Sequence, residues 1–296
     1  MSLKLKNVTR KLLRTYLTYT PITKGRYPLM MALHKYLHEP ITVQVKTMDR
    51  GIMILDLEDE SQFTLYYNMY EWSYLRVINS LTENTNVVLD IGANIGQYAL
   101  LFAKNANIVY AFEPSPAMLT SLRKHIELNN IQDKVKIIAK ALSNKPGTLN
   151  LTIPSSNNSG QATTIIEKGS NLQTVAIDAI TLDDFMDSEG KPNIDLIKMD
   201  IEGAELFALQ GMKQTLASPH KPIVILEMFE KAMNTAGYSS IDIIQELQQY
   251  GYQPFQFLRS GKLQTLNLTG FVPYSENYCF LTNDHLQMQK VKRVLL

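Results

Sequence analysis

The chain has 296 residues, of which 45% are apolar and 19% are charged, so it is long and apolar enough to bury a sizeable core. Its formal net charge of +1 argues against nucleic acid as the main partner, because phosphate binding requires a basic face. The single cysteine, Cys279, cannot form a disulfide within the chain and suits a reducing compartment. The sequence shows neither a signal-peptide h-region nor a run of about 18 apolar residues, so we predict a cytoplasmic protein without a transmembrane segment.

Residues 1–70 are predicted to form an N-terminal extension. Residues 1–40 are basic and helix-like, with Lys4, Lys6, Arg10, Lys11 and Arg14 among leucines. A solvated helix packed on the core, or on a second copy in a homodimer, is favoured over a helix that binds a membrane surface or a polyanion. Residues 41–70 alternate like antiparallel strands, which we place at 41–45, 52–57 and 63–67.

The stretch 87–98 combines an apolar strand, a glycine-rich turn and a helix. We predict a buried parallel strand at 87–91 and a helix at 97–105. Gly92 and Gly96 would let the backbone turn sharply and approach a ligand that a Cβ would exclude. The next strand, 108–112, ends at Glu113, where nucleotide-binding α/β units place a carboxylate on ribose hydroxyls. The pattern therefore predicts a site for an adenosine-containing molecule.

The residue spacing in this glycine turn, residues 92–96, narrows the range of possible ligands. A dinucleotide-binding turn has a middle glycine, which Ala93 and Asn94 do not supply, and a P-loop would continue with lysine where Gln97 stands. Asp90, at the strand end, would repel a pyrophosphate but favour a ligand that carries an ammonium and a sulfonium. The pattern resembles motif I of the class I S-adenosylmethionine-dependent methyltransferases.

The remaining elements alternate as in an α/β protein. Further strands are predicted at 135–140, 194–199 and 222–228, and helices at 116–130, 202–216 and 240–250. Two late strands, 252–258 and 277–281, have no helix between them and should pair antiparallel. The resemblance implies a Rossmann-like, mostly parallel sheet with an antiparallel C-terminal edge hairpin, in a methyltransferase domain at 71–296. A polar insert at 154–171 is either a lid over the site or slack chain.

A second acidic motif lies where the predicted fourth strand ends. Asp200, Glu202 and Glu205 follow this strand within six residues. Ligands of open α/β sheets bind at the carboxyl ends of strands, so Asp200 should face the same crevice as Gly92 and Glu113. Helix capping by these carboxylates is the alternative explanation.

The ordered set of motifs is similar to the FkbM-type methyltransferases. It comprises Glu71 and residues 90–96, 112–116, 181–185, 198–205 and 225–228. The resemblance implies an S-adenosylmethionine-dependent enzyme that methylates a hydroxyl of a sugar or natural product, or alternatively a nitrogen of a peptide. It implies donor contacts from Glu71, Asp90, Gly92, Asn94, Gly96, Glu113, Pro114, Ala141, Leu142 and Asp200.

Methyl transfer from the sulfonium to an alcohol requires that the enzyme align the two reactants and supply a general base. The sulfonium is already activated, whereas an alcohol must also lose a proton, so we predict Asp200 or Glu202 as the catalytic base. We predict no resident metal; a cation bridging Asp200 and Glu227 is the less favoured alternative. Two other classes remain as alternatives: a nicotinamide-dependent oxidoreductase, disfavoured by the missing middle glycine, and a donor-binding module without catalysis.

Overall fold

A computed structural model of the protein describes residues 3–19, 29–30, 32, 41–47, 49–68, 72–153, 162–165, 173–269 and 276–296. In chain order its helices are α1 (Leu3–Tyr19), α2 (Glu60–Tyr66), α3 (Trp72–Leu81), α4 (Gln97–Phe102), α5 (Pro116–Leu128), α6 (Leu182–Ser188), α7 (Glu205–Gln210), α8 (Lys213–Ala217), α9 (Glu230–Ala236), α10 (Ser240–Gln248), α11 (Asn283–Gln287) and α12 (Gln289–Lys292). Its strands are β1 (Thr42–Lys46), β2 (Ile52–Asp56), β3 (Val87–Ile91), β4 (Ile108–Phe112), β5 (Val135–Ile138), β6 (Ala141–Leu142), β7 (Gly147–Thr152), β8 (Thr174–Ile180), β9 (Leu196–Met199), β10 (Ile223–Met228), β11 (Gln253–Leu258), β12 (Lys262–Thr265) and β13 (Glu276–Leu281).

The largest sheet has eight strands in the order β12-β11-β13-β10-β9-β3-β4-β5. Five neighbouring strands of this sheet, β10, β9, β3, β4 and β5, are parallel, whereas β13 pairs antiparallel with both β10 and β11. The predicted mostly parallel α/β fold with an antiparallel C-terminal edge is therefore confirmed. The edge also contains β12, which the sequence analysis missed and which pairs antiparallel with β11.

Both faces of the parallel strands are covered. Every residue of β3 is buried, and successive residues contribute to different cores: Val88 to one and Leu89 to the other. Such strands read as continuous apolar runs because helices cover both faces of the sheet. No helix among the described residues is long and apolar enough to cross a membrane.

The N-terminal unit, formed by α1, the β1–β2 hairpin and α2, has its own apolar cluster. The predicted strand at 63–67 is wrong, since these residues belong largely to α2. Asp59 caps this helix by accepting a hydrogen bond from Gln62 N at 2.9 Å. Phe63 alternates with Leu65 and Tyr67 as in a strand, but Phe63, Tyr66 and Tyr67 also share a helix face, and the cap favours the helix.

The helix predicted at 202–216 is also wrong in its bounds, because α7 begins at Glu205 and a separate helix, α8, begins at Lys213. Glu202 and Gly203 have φ values of +52° and +97°, which no α-helix contains. The Glu205 carboxylate accepts hydrogen bonds from Ile201 N at 3.1 Å and Gly203 N at 3.0 Å. Residues 200–204, the acidic turn, therefore replace the expected first helical turn.

A second sheet was not predicted. It has the order β6-β8-β7, with β7 and β8 antiparallel. Of the polar insert predicted at 154–171, residues 162–165 are described and the others lie outside the described residues. The helices α6 and α9 were also missed. The proposed boundary between residues 70 and 71 stays a prediction.

Candidate active site

A cavity of about 300 Å³ lies at the carboxyl ends of the central strands, within the size range of small-molecule sites. The predicted site residues that line it are Asp90, Gly92, Asn94, Glu113, Pro114, Ala141, Leu142, Asp200 and Glu202. Glu71 lies outside the described residues. Ser61 of the N-terminal unit and Ala162 and Thr164 of the insert also line the cavity, so both additions to the central sheet contribute to its wall.

The glycine turn is shaped by contacts within the protein. Gly92 has a φ of +84°, and a Cβ there would lie 1.9 Å from the carbonyl oxygen of Asp200. Gly96 has a φ of +92°, and a Cβ there would lie 2.6 Å from Leu122 Cδ1 of α5. Gly96 is not among the residues of the cavity wall. Both glycines thus allow close packing within the protein, against Asp200 and α5; Gly92 also lines the cavity, whereas Gly96 does not, and the predicted ligand contact of Gly92 stays a prediction.

Glu113 lies at the end of β4 and closes over the glycine turn. Its Oε2 accepts a hydrogen bond from Asn94 N and its Oε1 accepts one from Ser115 N, both at 2.7 Å. Burial raises the pKa of this carboxyl to about 7, although the two amides oppose the shift. Because a carboxylate oxygen can accept two hydrogen bonds, each oxygen keeps capacity for a ligand hydroxyl.

Two wall residues, Asp90 and Asn94, each have a buried acceptor oxygen with no hydrogen-bond partner within the described ranges. Asp90 is 2% exposed, and burial raises its pKa to about 7 despite the nearby Lys198 ammonium. Asp90 Oδ2 and Asn94 Oδ1 have no hydrogen-bond partner among the described residues. Buried polar atoms are normally satisfied, so these two oxygens call for a ligand that donates hydrogen bonds or carries positive charge.

Lys198 lines the cavity, although it begins the motif 198–205 without a predicted role. It pairs in register with Asp90 of the neighbouring strand, is 1% exposed, and donates a hydrogen bond to Asp200 Oδ2 at 3.2 Å. Its ammonium also lies 5.0 Å from the centroid of the Tyr98 ring. A lysine within the apolar strand β9 was the available signal, because lysine is almost never fully buried unless it is paired.

The acidic turn brings Glu202 into the wall. Burial, followed by the charges of Asp200 and Glu205, raises the pKa of Glu202 to about 8. The Glu202 carbonyl accepts a hydrogen bond from Thr163 Oγ1 at 2.7 Å, which ties the insert to this turn. Burial also raises the pKa of Glu205 to about 7, but its oxygens are engaged by backbone amides of the turn and it is not part of the wall.

Further wall residues were not predicted to bind anything: Tyr98, Met118, Lys140, Ile201, Ala204 and Phe229. Asp200 and Glu227 both reach the cavity. Among the described residues no group of three or more His, Cys, Asp and Glu side chains could hold a metal ion.

A mostly parallel sheet with a cavity at the carboxyl ends of its strands places this protein among the open α/β proteins, which bind their ligands at that edge. Residues 90–254 match the sequence model of the Methyltransferase FkbM domain. This match covers more than half of the chain, so the chain belongs to the FkbM methyltransferase family. The resemblance drawn from the sequence motifs is confirmed.

The individual proteins that the chain resembles share less than a third of their residues with it over the aligned regions. The chain is 29% identical over 154 residues to the hexuronic acid methyltransferase AglP of Haloferax volcanii, covering 52% of this chain and 61% of that protein. It is 27% identical over 158 residues to the 2-O-methyltransferase NoeI of Sinorhizobium fredii, covering 48% of this chain and 63% of that protein. The chain thus spans less than two thirds of the length of these relatives. The crystal structure of methyltransferase FkbM from Methylobacillus flagellatus aligns with a TM-score of 0.44 at 17% identity, covering 86% of this chain and 59% of that one.

Proposed function

We propose that this protein transfers a methyl group from S-adenosylmethionine to a hydroxyl of a sugar or natural product. The observation that carries the donor assignment is a pair of buried oxygens, Asp90 Oδ2 and Asn94 Oδ1, that have no hydrogen-bond partner in the described part of the chain and belong to the same wall as Glu113. This acceptor-rich wall fits a ligand with an ammonium, a sulfonium and ribose hydroxyls. When bound, the donor supplies an activated methyl group, and the protein has mainly to align it with the nucleophile.

Each end of the donor would meet residues suited to it. Ionised Asp90, with Asn94, would hold the cationic amino acid portion, and the remaining lone pairs of Glu113 would accept the ribose hydroxyls. Pro114, Ala141 and Leu142 would provide an apolar wall for the base. Gly92 would keep these residues in position, because the absence of a side chain lets the glycine turn pack on the Asp200 backbone.

For the general base we propose Glu202, with Asp200 as its alternative. An alcohol needs a base whose pKa lies near the working pH, and that of Glu202 is raised to about 8. The Asp200 carboxylate is already engaged, because its Oδ2 accepts a hydrogen bond from the buried Lys198 ammonium at 3.2 Å. Asp200 would then orient the acceptor or contact the donor.

The acceptor class is supported by the relatives, whose names specify a hexuronic acid methyltransferase and a 2-O-methyltransferase. Transfer to a peptide nitrogen is the alternative. Incubation with methyl-labelled S-adenosylmethionine and parallel panels of glycosides and peptides tests the choice. Label in a glycoside, lost on Glu202→Gln, supports the proposal, whereas label in peptides alone would replace it with N-methylation. A donor-binding module would label neither panel.

Calorimetry tests donor binding without any acceptor. S-adenosylmethionine and S-adenosylhomocysteine should bind, and NADH should not. Saturable NADH binding without binding of either sulfur compound would instead support the oxidoreductase alternative. We further propose a cytoplasmic location, for which the support is the free, buried state of the only cysteine, Cys279.

Glu113→Ala provides a residue-level test of the donor site. Removing the carboxylate should weaken S-adenosylmethionine binding by roughly 2–3 kcal/mol, the size of hydrogen bonds to a charged group. Glu189→Ala, which removes a carboxylate outside the cavity wall, is the control for calorimetry. Unchanged affinity in a folded Glu113→Ala protein would exclude the ribose role.

A further inference from the structure

His125 of α5 joins the glycine turn to the N-terminal unit. The ring is 1% exposed; Ile54 N of β2 donates to its Nε2 at 2.9 Å, and its Nδ1 lies 2.7 Å from the Ile95 carbonyl oxygen in the glycine turn. Nε2 also lies 3.1 Å from the Ile54 carbonyl oxygen. Because an amide can only donate, Nε2 acts as the acceptor and Nδ1 carries the proton. Burial lowers the pKa of His125, which favours this neutral ring.

Asn129, one helical turn after His125, extends the same connection. Its Oδ1 accepts from Ile52 N at 2.8 Å, and its Nδ2 donates to the Ile52 carbonyl oxygen at 2.7 Å. A Cβ on Gly51 would lie 2.2 Å from Asn129 Oδ1, so glycine permits the approach. Together the two side chains pair with alternate residues of β2 as a neighbouring strand would.

Apolar packing reaches the glycine turn from the same side. Ile95 of the turn and Leu100 of α4 are buried in the cluster of the N-terminal unit, with Met53, Leu55 and Phe63. The Arg50 guanidinium lies 5.6 Å from the centroid of the Tyr98 ring, which lines the cavity, and Ser61 lines the cavity directly. The unit therefore packs on the back of the turn and also contributes to the wall in front of it.

We infer that His125 is a positioning residue for the donor site, which it serves by fixing the glycine turn against the N-terminal unit. The inference rests on the proposed function, since the turn is the part of the wall assigned to the donor. The turn must hold Asn94 in place, because its backbone amide donates to Glu113 and the residue lines the cavity. Binding groups need supporting hydrogen bonds of this kind to stay within about half an ångström of their working geometry.

His285 provides a matched control. It is 2% exposed, accepts from Thr282 N at 3.0 Å through Nδ1, and donates through Nε2 to the Lys221 carbonyl oxygen at 2.8 Å. Burial lowers its pKa as it does for His125. His285 is not among the cavity residues. His285→Leu therefore removes the same kind of backbone connection at a position away from the proposed donor site.

Calorimetry with S-adenosylhomocysteine on the full chain tests the role. His125→Leu should weaken binding at least tenfold. His285→Leu should weaken it less than twofold, although the loss of melting temperature should be comparable. His125→Gln should restore part of the affinity, because the glutamine amide both donates and accepts hydrogen bonds. Parental affinity in His125→Leu, or an equal loss in His285→Leu, would overturn the inference. If His125→Leu does not fold, Asn129→Leu takes its place, and parental affinity there would overturn the inference.

Hydrogen exchange on the ligand-free proteins separates this inference from the proposed function. The amides of Gly92, Ala93, Asn94 and Gly96 are all hydrogen-bonded within the protein. His125→Leu should speed exchange in a peptide covering 92–96, and His285→Leu should not. Equal exchange in both variants would overturn the positioning role. Failure of the parent to bind S-adenosylhomocysteine would instead contradict the proposed function and leave the exchange result to decide the role of His125.

Discussion

Asp90 is placed where its charge is unfavourable until a ligand arrives. Burial raises its pKa to about 7, and one of its oxygens has no hydrogen-bond partner among the described residues. An ionised carboxylate in this position destabilises the ligand-free protein, whereas a bound cation would compensate it. A side chain that costs stability in the free protein is typical of a binding site.

Asp90→Asn should therefore separate stability from binding. Above pH 7 the folded protein must hold an ionised Asp90, so the amide should stabilise it at pH 8, by on the order of 4 kcal/mol for a pKa raised from 3.8 to about 7 at about 1.4 kcal/mol per pKa unit. The affinity for S-adenosylmethionine should fall at least tenfold. Thermal denaturation and calorimetry at pH 8 measure the two effects, with Asp133→Asn as an exposed control. A variant that is less stable and binds normally would refute the assignment.

At the scale of elements, two turns at the carboxyl edge of the sheet hold the site together. The glycine turn follows β3 and the acidic turn follows β9, and they meet where Gly92 packs on the Asp200 carbonyl. Each turn is closed by a buried glutamate: Glu113 accepts from an amide of the first, and Glu205 accepts from two amides of the second. Substitutions in either turn are therefore expected to change stability as well as binding.

Gly96→Val should destabilise the protein. The valine would adopt a φ of +92° and bring its Cβ within 2.6 Å of Leu122 Cδ1, so strain and overpacking add. Gly237→Val is a matched control, because Gly237 has a φ of +89° and a Cβ there would meet nothing within 4 Å. Urea unfolding should show a loss for Gly96→Val that exceeds the control by about 1–3 kcal/mol. Equal losses would mean that the Leu122 side chain can move away from the new Cβ without destabilising the protein.

The acidic turn can be tested once an acceptor has been found. Glu202→Gln should reduce turnover by about 100-fold, as loss of a general base does, and keep most of the donor affinity. The parent's rate should rise with pH up to about 8, where Glu202 loses its proton, and this rise should vanish in the variant. Asp200→Asn should affect turnover less. The reverse ranking would make Asp200 the base, and loss of donor affinity in both variants would make the pair donor ligands.

The whole molecule carries two opposing sets of buried ionisable groups. Burial raises the pKa of four carboxyls, those of Asp90, Glu113, Glu202 and Glu205, to about 7 or 8. Burial lowers the pKa of His125 and His285. Three of these carboxyls, Asp90, Glu113 and Glu202, line the proposed site, and the two histidines connect segments that are distant in the chain.

These groups predict how the stability of the ligand-free protein depends on pH. Between about pH 4 and pH 7–8 the folded carboxyls bind more protons than the unfolded chain, so their contribution falls as the pH rises. The histidines contribute fully above about pH 6.5 and lose that contribution as the pH falls through their lowered folded pKa. From pH 6.5 to 8 the two histidines no longer oppose the four carboxyls, and the melting temperature should decrease by about 2–4 °C per kcal/mol. A scan in which it rises over this interval would contradict the assigned pKa directions, and Asp90→Asn should flatten the decrease.

Much of the fold was predictable because local patterns agreed with the tertiary structure. The apolar run before Gly92 predicted a buried strand, and Ser240 to Gln248 formed a helix followed by Gly251 at a φ of +86°, as expected for a glycine after a helix end. The placement of Asp90, Glu113 and Asp200 at one cavity followed from a general rule, since parallel strands present their carboxyl ends at the same edge.

The sequence by itself determined the family, the mostly parallel sheet and most of the predicted site residues that line the cavity. Only the tertiary structure decided that Gly96 faces Leu122 and that Lys198 lies with Asp200 in the cavity wall. It also revealed that His125, which matches no motif, connects β2 to the glycine turn. These outcomes depend on contacts between residues as many as 71 positions apart, whose partners no local pattern of propensity or spacing specifies.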